Sequence, residues 1–157
     1  MKYIIIFCIL VLANTRMHAQ QQAAPSFKDA ELNTVYTHYI SLKDALVASK
    51  ANEAKQAATA LQKSLTGIQN GKKASEQAAI IASSTDLTGQ RTAFSLLSNE
   101  MKTLVKGHVS SGALYLKYCP MANNNTGAYW LSNEKKIMNP YFGDQMLHCG
   151  SVKETIQ

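Results

Sequence analysis

The chain has 157 residues, 46% of them hydrophobic and 17% charged, with 16 basic and 10 acidic side chains and a net charge of +6. That length and apolar content suit one domain with a real hydrophobic core, and exclude a small scaffold that must be stapled by a lattice of disulfides. The lysines are scattered, Arg91 is the only arginine besides Arg16, and no basic run is present, so a nucleic-acid partner is not expected.

Lys2, the apolar run from Tyr3 to Ala13 and the polar stretch ending in Ala19 have the three-part layout of a secretory signal peptide. The run is well short of the roughly twenty residues that span a bilayer as a helix, so residues 1–19 are expected to be cut off after Ala19. No stable membrane insertion is then expected. Cys8 leaves with the signal peptide, because Phe7 is bulky where a lipidation site needs a small residue. The mature chain is expected in the periplasm or secreted. Losing Lys2 and Arg16 leaves it 14 basic and 10 acidic side chains. Residues 20–26 read as a disordered polar leader and 27–157 as a single domain, with Ser26 capping the first helix.

From Phe27 to about Lys50, Leu32, Val35, Tyr36, Tyr39, Leu42 and Leu46 recur at three- and four-residue intervals, which predicts one buried helical stripe. Asn52 to about Ile68 is an alanine-rich helix with Asn52 as its cap. Asn70-Gly71 punctuates the chain, and Lys72 to Ser83 is a shorter helix. Asp86 caps a strong amphipathic helix that runs to about Lys106 and stops at Gly107. Short connections make neighbouring helices antiparallel.

After Gly112 the pattern changes. Ala113 to Tyr118 is strand-like, Asn123-Asn124-Asn125 with Gly127 makes a turn, and Ala128 to Leu131 is a second strand-like run. Trp130, Tyr141 and Phe142 are expected to seat this region on the helices. The predicted architecture is mainly α: an antiparallel helical bundle (about 27–107) with a small C-terminal hairpin-like Cys/Met-containing tail (about 113–152).

Sulfur concentrates in that tail. Cys119-Pro120-Met121 and Met146-Leu147-His148-Cys149-Gly150 put two thiols, two thioethers and an imidazole into two short clusters. Thiolate and thioether donors favour Cu(I), and thiolate with imidazole also suits Zn(II), so Cys119, Met121, Met146, His148 and Cys149 are the candidate metal ligands. Two alternatives stand beside this. Met121 and Met146 can be ordinary core filling, and Cys119 with Cys149 can form a disulfide, which is the default in an oxidising compartment. No Ser/His/Asp or Cys/His arrangement with a supporting motif and no glycine-rich phosphate loop is present, so an enzyme is not expected.

The runs Tyr118-Cys119-Pro120-Met121-Ala122, Gly127-Ala128-Tyr129-Trp130-Leu131-Ser132, Ile137-Met138-Asn139-Pro140-Tyr141-Phe142-Gly143 and Met146-Leu147-His148-Cys149-Gly150 resemble the family of unknown function DUF3347. The helical part resembles it too, in Tyr39 to Ala48 and in the Arg91, Phe94, Leu97-Ser98 pattern. Members of that family occur as small exported proteins and as a module on periplasmic adaptor subunits of copper- and silver-type efflux systems. The resemblance therefore implies a helical periplasmic domain in a metal-linked setting, with a metal ion and a periplasmic efflux adaptor as partners. The C-P-M start and the closing C-G are also similar to short heavy-metal-binding modules of such pumps, whose further C-x-x-C pair is absent here. The expected function is an exported soft-metal-binding protein, with Cu(I) first and Zn(II) second. The alternative is a non-catalytic interaction module stapled by a Cys119–Cys149 disulfide.

Overall fold

A computed structural model of the protein describes residues 24–157. The expected signal peptide, its cut after Ala19 and Cys8 lie outside those residues. Four helices follow one another: α1 (Ala30–Val47), α2 (Ala51–Ser64), α3 (Lys72–Ser83) and α4 (Leu87–Val105). Strand β1 (Ser26–Phe27) precedes them, and β2 (Val109–Ser111), β3 (Leu114–Cys119), β4 (Ala128–Ser132) and β5 (Ser151–Ile156) come after.

The helix ends depart from expectation in two places. The cap of α1 is Asp29, whose carboxylate accepts from the Glu31 N–H at 2.9 Å. Ser26 is drawn away into β1, opposite Ser111 of β2, because the neighbouring Phe27 ring is buried edge-on to Tyr36 at 5.2 Å. The end of the expected disordered leader is thus part of a two-stranded sheet. Helix α2 begins at Ala51 with Lys50 before it, so Asn52 lies inside the helix rather than at its cap. Asp86 does cap α4, accepting from the Gly89 N–H at 2.9 Å.

Each helix packs on the next in sequence, as short connections require. The buried faces of α2 and α3 are rich in alanine (Ala54, Ala58, Ala74, Ala78), which brings their backbones close. An aromatic relay crosses the core from α1 to the C-terminal region. Tyr39 stacks on Phe94 at 5.3 Å, Phe94 meets Tyr141 at 5.8 Å, and Tyr141 meets Trp130 edge-on at 6.0 Å. Trp130 is fully buried, so the aromatic seating expected of it is present.

The C-terminal region is more than a hairpin. Strands β3 and β4 pair antiparallel, with Cys119 opposite Ala128 and Lys117 opposite Trp130. β5 adds to the other side of β3, giving the order β4-β3-β5. The protein therefore combines a helical bundle with two small antiparallel sheets. β5 was not anticipated because its side chains are mostly exposed and carry little apolar signal. Tyr39 ties sheet to bundle: its hydroxyl accepts from the Leu131 N–H at 3.1 Å and lies 2.8 Å from Ser98 Oγ. Among the described residues no helix is long and apolar enough to cross a membrane.

Candidate metal centre

Strand β3, the middle strand of its sheet, ends at Cys119, which is buried. Pro120 then turns the chain out to Met121. Residues 122–125 form a tight turn in which Asn123, Asn124 and Asn125 all have positive φ, at 53°, 55° and 62°. Three left-handed non-glycine residues in a row are unusual, and asparagine is the residue type that bears this at least cost. The turn is held by the Thr126 hydroxyl donating to Asn123 O at 2.6 Å and by the Gly127 N–H donating to Ala122 O at 2.9 Å.

The second cluster arrives from residues 139–150, organised by Asn139. This side chain is fully buried; its Nδ2 donates to Cys149 O at 2.9 Å, and its Oδ1 accepts from the Tyr141 N–H at 2.8 Å. The Asn139 N–H donates to Leu147 O at 2.8 Å. From sequence, Asn139-Pro140 reads only as a turn. The signal available was an asparagine beside proline, whose side chain commonly stands in for a backbone hydrogen bond. Gly150, with φ +134°, lets the chain leave behind Cys149. A Cβ there would sit 2.8 Å from Trp130 Cη2 and 2.9 Å from Tyr118 O.

The outcome is a thiol pair. Cys119 Sγ and Cys149 Sγ are 2.8 Å apart although the residues are 30 positions apart in sequence. Both are free cysteines, Cys119 buried and Cys149 half-buried. The hydrogen bond with Cys119, followed by burial, pushes the Cys149 thiol from 9.0 up to about 11, while the Met121 N–H donated to its sulfur acts in the opposite sense. A neutral Cys149 is therefore the resting form at pH 7.

Met121 and Met146 line one cavity of about 430 Å³ next to this pair, together with Arg91 of α4 and the asparagine turn. Met121 is 47% exposed, which sets it apart from ordinary core filling. His148 does not join them. It is exposed, and its Nδ1 is 2.9 Å from Ile137 O. Among the described residues no group of three or more His, Cys, Asp or Glu side chains is placed to hold a metal ion. Of the five expected ligands, the structure brings Cys119 to Cys149 and sets Met121 and Met146 on a shared wall, and leaves His148 outside.

Two further residues bear on the fold around the site, although the sequence pattern gives them no role in it. Arg91 is a fixed strut: Nε donates to Pro140 O at 2.9 Å, and Nη2 donates to Leu46 O at 3.2 Å and to Ser49 Oγ at 3.0 Å. It thereby fastens the loop that carries Cys149 to the C-terminal end of α1, where a cation also meets the negative end of the helix dipole. Lys117 is fully buried in β3, and its ammonium donates to Lys136 O at 2.6 Å.

Residues 35–112 match the family model described as "Protein of unknown function (DUF3347)". The match runs from within α1 to just past β2, so it covers the helices and stops before Cys119, whereas the resemblance read from the sequence extends through the tail. No curated protein and no solved structure matches the chain.

Proposed function

The chain belongs to the DUF3347 family, for which no activity is described, and from its site we propose an exported, non-catalytic soft-metal-binding protein with Cu(I) as its preferred ion. The observation that carries this reading is the meeting of Cys119 and Cys149 at 2.8 Å, beside a cavity walled by two thioethers. Two thiolates are the primary donors. Met121 or Met146, which line that cavity, supplies the soft third ligand that suits Cu(I), whereas Zn(II) would be left short of the four ligands it takes in structural sites. His148 stays outside the set. Uptake displaces thiol protons, so affinity falls as pH falls. A periplasmic location and delivery to or from an efflux adaptor are the setting that the family resemblance implies.

A second reading has its own support. Two thiolates on one tetrahedral metal at about 2.3 Å per bond stand nearly 4 Å apart, so metal uptake must open the pair. Oxidation needs only a closure from 2.8 Å to about 2.05 Å. The same residues thus form a disulfide readily, which would staple the C-terminal region as an interaction module.

Titration of the reduced and oxidised protein with Cu(I) and Zn(II), with Cys119→Ser and Cys149→Ser in parallel, tests the choice. One-to-one Cu(I) uptake that needs both cysteines and vanishes on oxidation supports the metal reading. Absence of uptake by fully reduced protein sinks it. An intact mass about two daltons below the thiol form would then identify the stapled module.

A further inference from the structure

The cavity of about 430 Å³ beside the thiol pair has Arg91 as its one charged residue and no carboxylate in its lining. The guanidinium is held by three neutral acceptors through Nε and Nη2, and no Asp or Glu pairs with it among the described residues. Its Nη1 edge has no hydrogen-bond partner there. A cation fixed in place with one edge uncommitted is prepared for an anion at little entropic cost.

The neighbours extend the pattern. Thr88, Asn124, Asn125 and Gln145 line the same cavity, and the Thr88 hydroxyl and the side-chain amides of the other three have no hydrogen-bond partner among the described residues. The asparagine turn, with three successive left-handed residues, sets the backbone of that wall. Met121, Met146 and Phe142 make the apolar side. A phosphate dianion would call for several cations or a run of backbone N–H groups. One guanidinium with amides and an apolar wall matches a monoanionic carboxylate that carries an amide.

We propose that this cavity binds a small amide-bearing carboxylate, an N-acylated amino acid or a short peptide. The carboxylate sits on Nη1 of Arg91, the amide on Asn124, Asn125 and Gln145, and a short apolar or thioether side chain against Met121, Met146 and Phe142. Neither cysteine lines the cavity, so the proposal does not rest on the metal reading and is tested on metal-free protein.

The test compares N-acetyl-L-methionine with its carboxamide, followed by backbone amide NMR shifts of nitrogen-15-labelled protein. The expected result is saturable shifts at Asn123 to Gly127 and at Gln145 with the acid, and binding at least about ten-fold weaker for the carboxamide. Asn124→Asp sits at an exposed position whose left-handed backbone aspartate also adopts, and its added carboxylate should weaken the acid several-fold. Arg91→Gln should abolish the preference for acid over carboxamide, with circular dichroism checking that the helices remain. Equal binding of acid and carboxamide, no saturable shifts at the cavity, or undiminished acid binding by N124D would each overturn the proposal.

Discussion

Replacing Cys119 with alanine removes the largest influence on Cys149, the hydrogen bond that keeps its proton in place. Relaxation from about 11 toward the ordinary 9.0 raises the thiolate fraction near pH 7 by up to about 100-fold. The gain in rate is smaller, because a less basic thiolate is a weaker nucleophile. With a Brønsted slope of about 0.45, a change of this size lowers intrinsic reactivity roughly eight-fold, leaving a net acceleration of about ten-fold at most. The assay is iodoacetamide labelling of the fully reduced protein, followed by intact mass and peptide mapping, from neutral to strongly alkaline pH. Wild type should label slowly at Cys149 with a pH midpoint near 11, and the variant faster with a lower midpoint. Greater access at the alanine cavity would speed labelling at every pH without moving the midpoint. A midpoint that stays near 11 in Cys119→Ala refutes the coupling of the two thiols.

Three other expectations follow from the packing. Burial lowers the Lys117 ammonium from 10.5 to about 8, so the unfolded chain holds this proton more tightly than the fold does, and the group's contribution to stability rises between about pH 8 and pH 10.5. That difference corresponds to at most about 3 kcal/mol, part of which the bond to Lys136 O offsets, so Lys117→Met should be more stable than wild type by about 1–2 kcal/mol at pH 7. Urea denaturation at both ends of the window should show the advantage shrinking with pH; a constant difference would be inconsistent with a buried ammonium. Tyr39→Phe leaves the Leu131 N–H without its partner in the core and should cost about 1–3 kcal/mol, measured by the same unfolding experiment. Gly150→Ala forces a methyl group against Trp130 and the Tyr118 carbonyl at φ +134°; it should destabilise by more than about 1 kcal/mol and weaken Cu(I) uptake by displacing Cys149, with unchanged uptake counting against the site.

The sequence by itself determined the helices. Periodic Leu32, Val35, Tyr39 and Leu46 in α1 and Phe94, Leu97 and Met101 in α4 report a buried face through spacing alone, and Asp86 marks a helix start by a bond made within four residues. These are local signals, carried by residues close in the chain. The donor types of the candidate site were legible for the same reason, since Cys119-Pro120-Met121 and Met146 to Cys149 are short runs of distinctive chemistry. Tertiary structure decided what is long-range. It chose Asp29 over Ser26 at α1 because Phe27 docks on Tyr36 and takes Ser26 into a sheet with residues more than eighty positions away. It added β5 to β3, a pairing made by backbone groups that side-chain patterning does not report. It also brought Cys149 to Cys119 while leaving His148, one residue earlier, facing the Ile137 carbonyl. Adjacent residues in an irregular segment need not face the same way, and only the Asn139 and Arg91 hydrogen bonds, with Gly150 behind the second thiol, set which one turned inward.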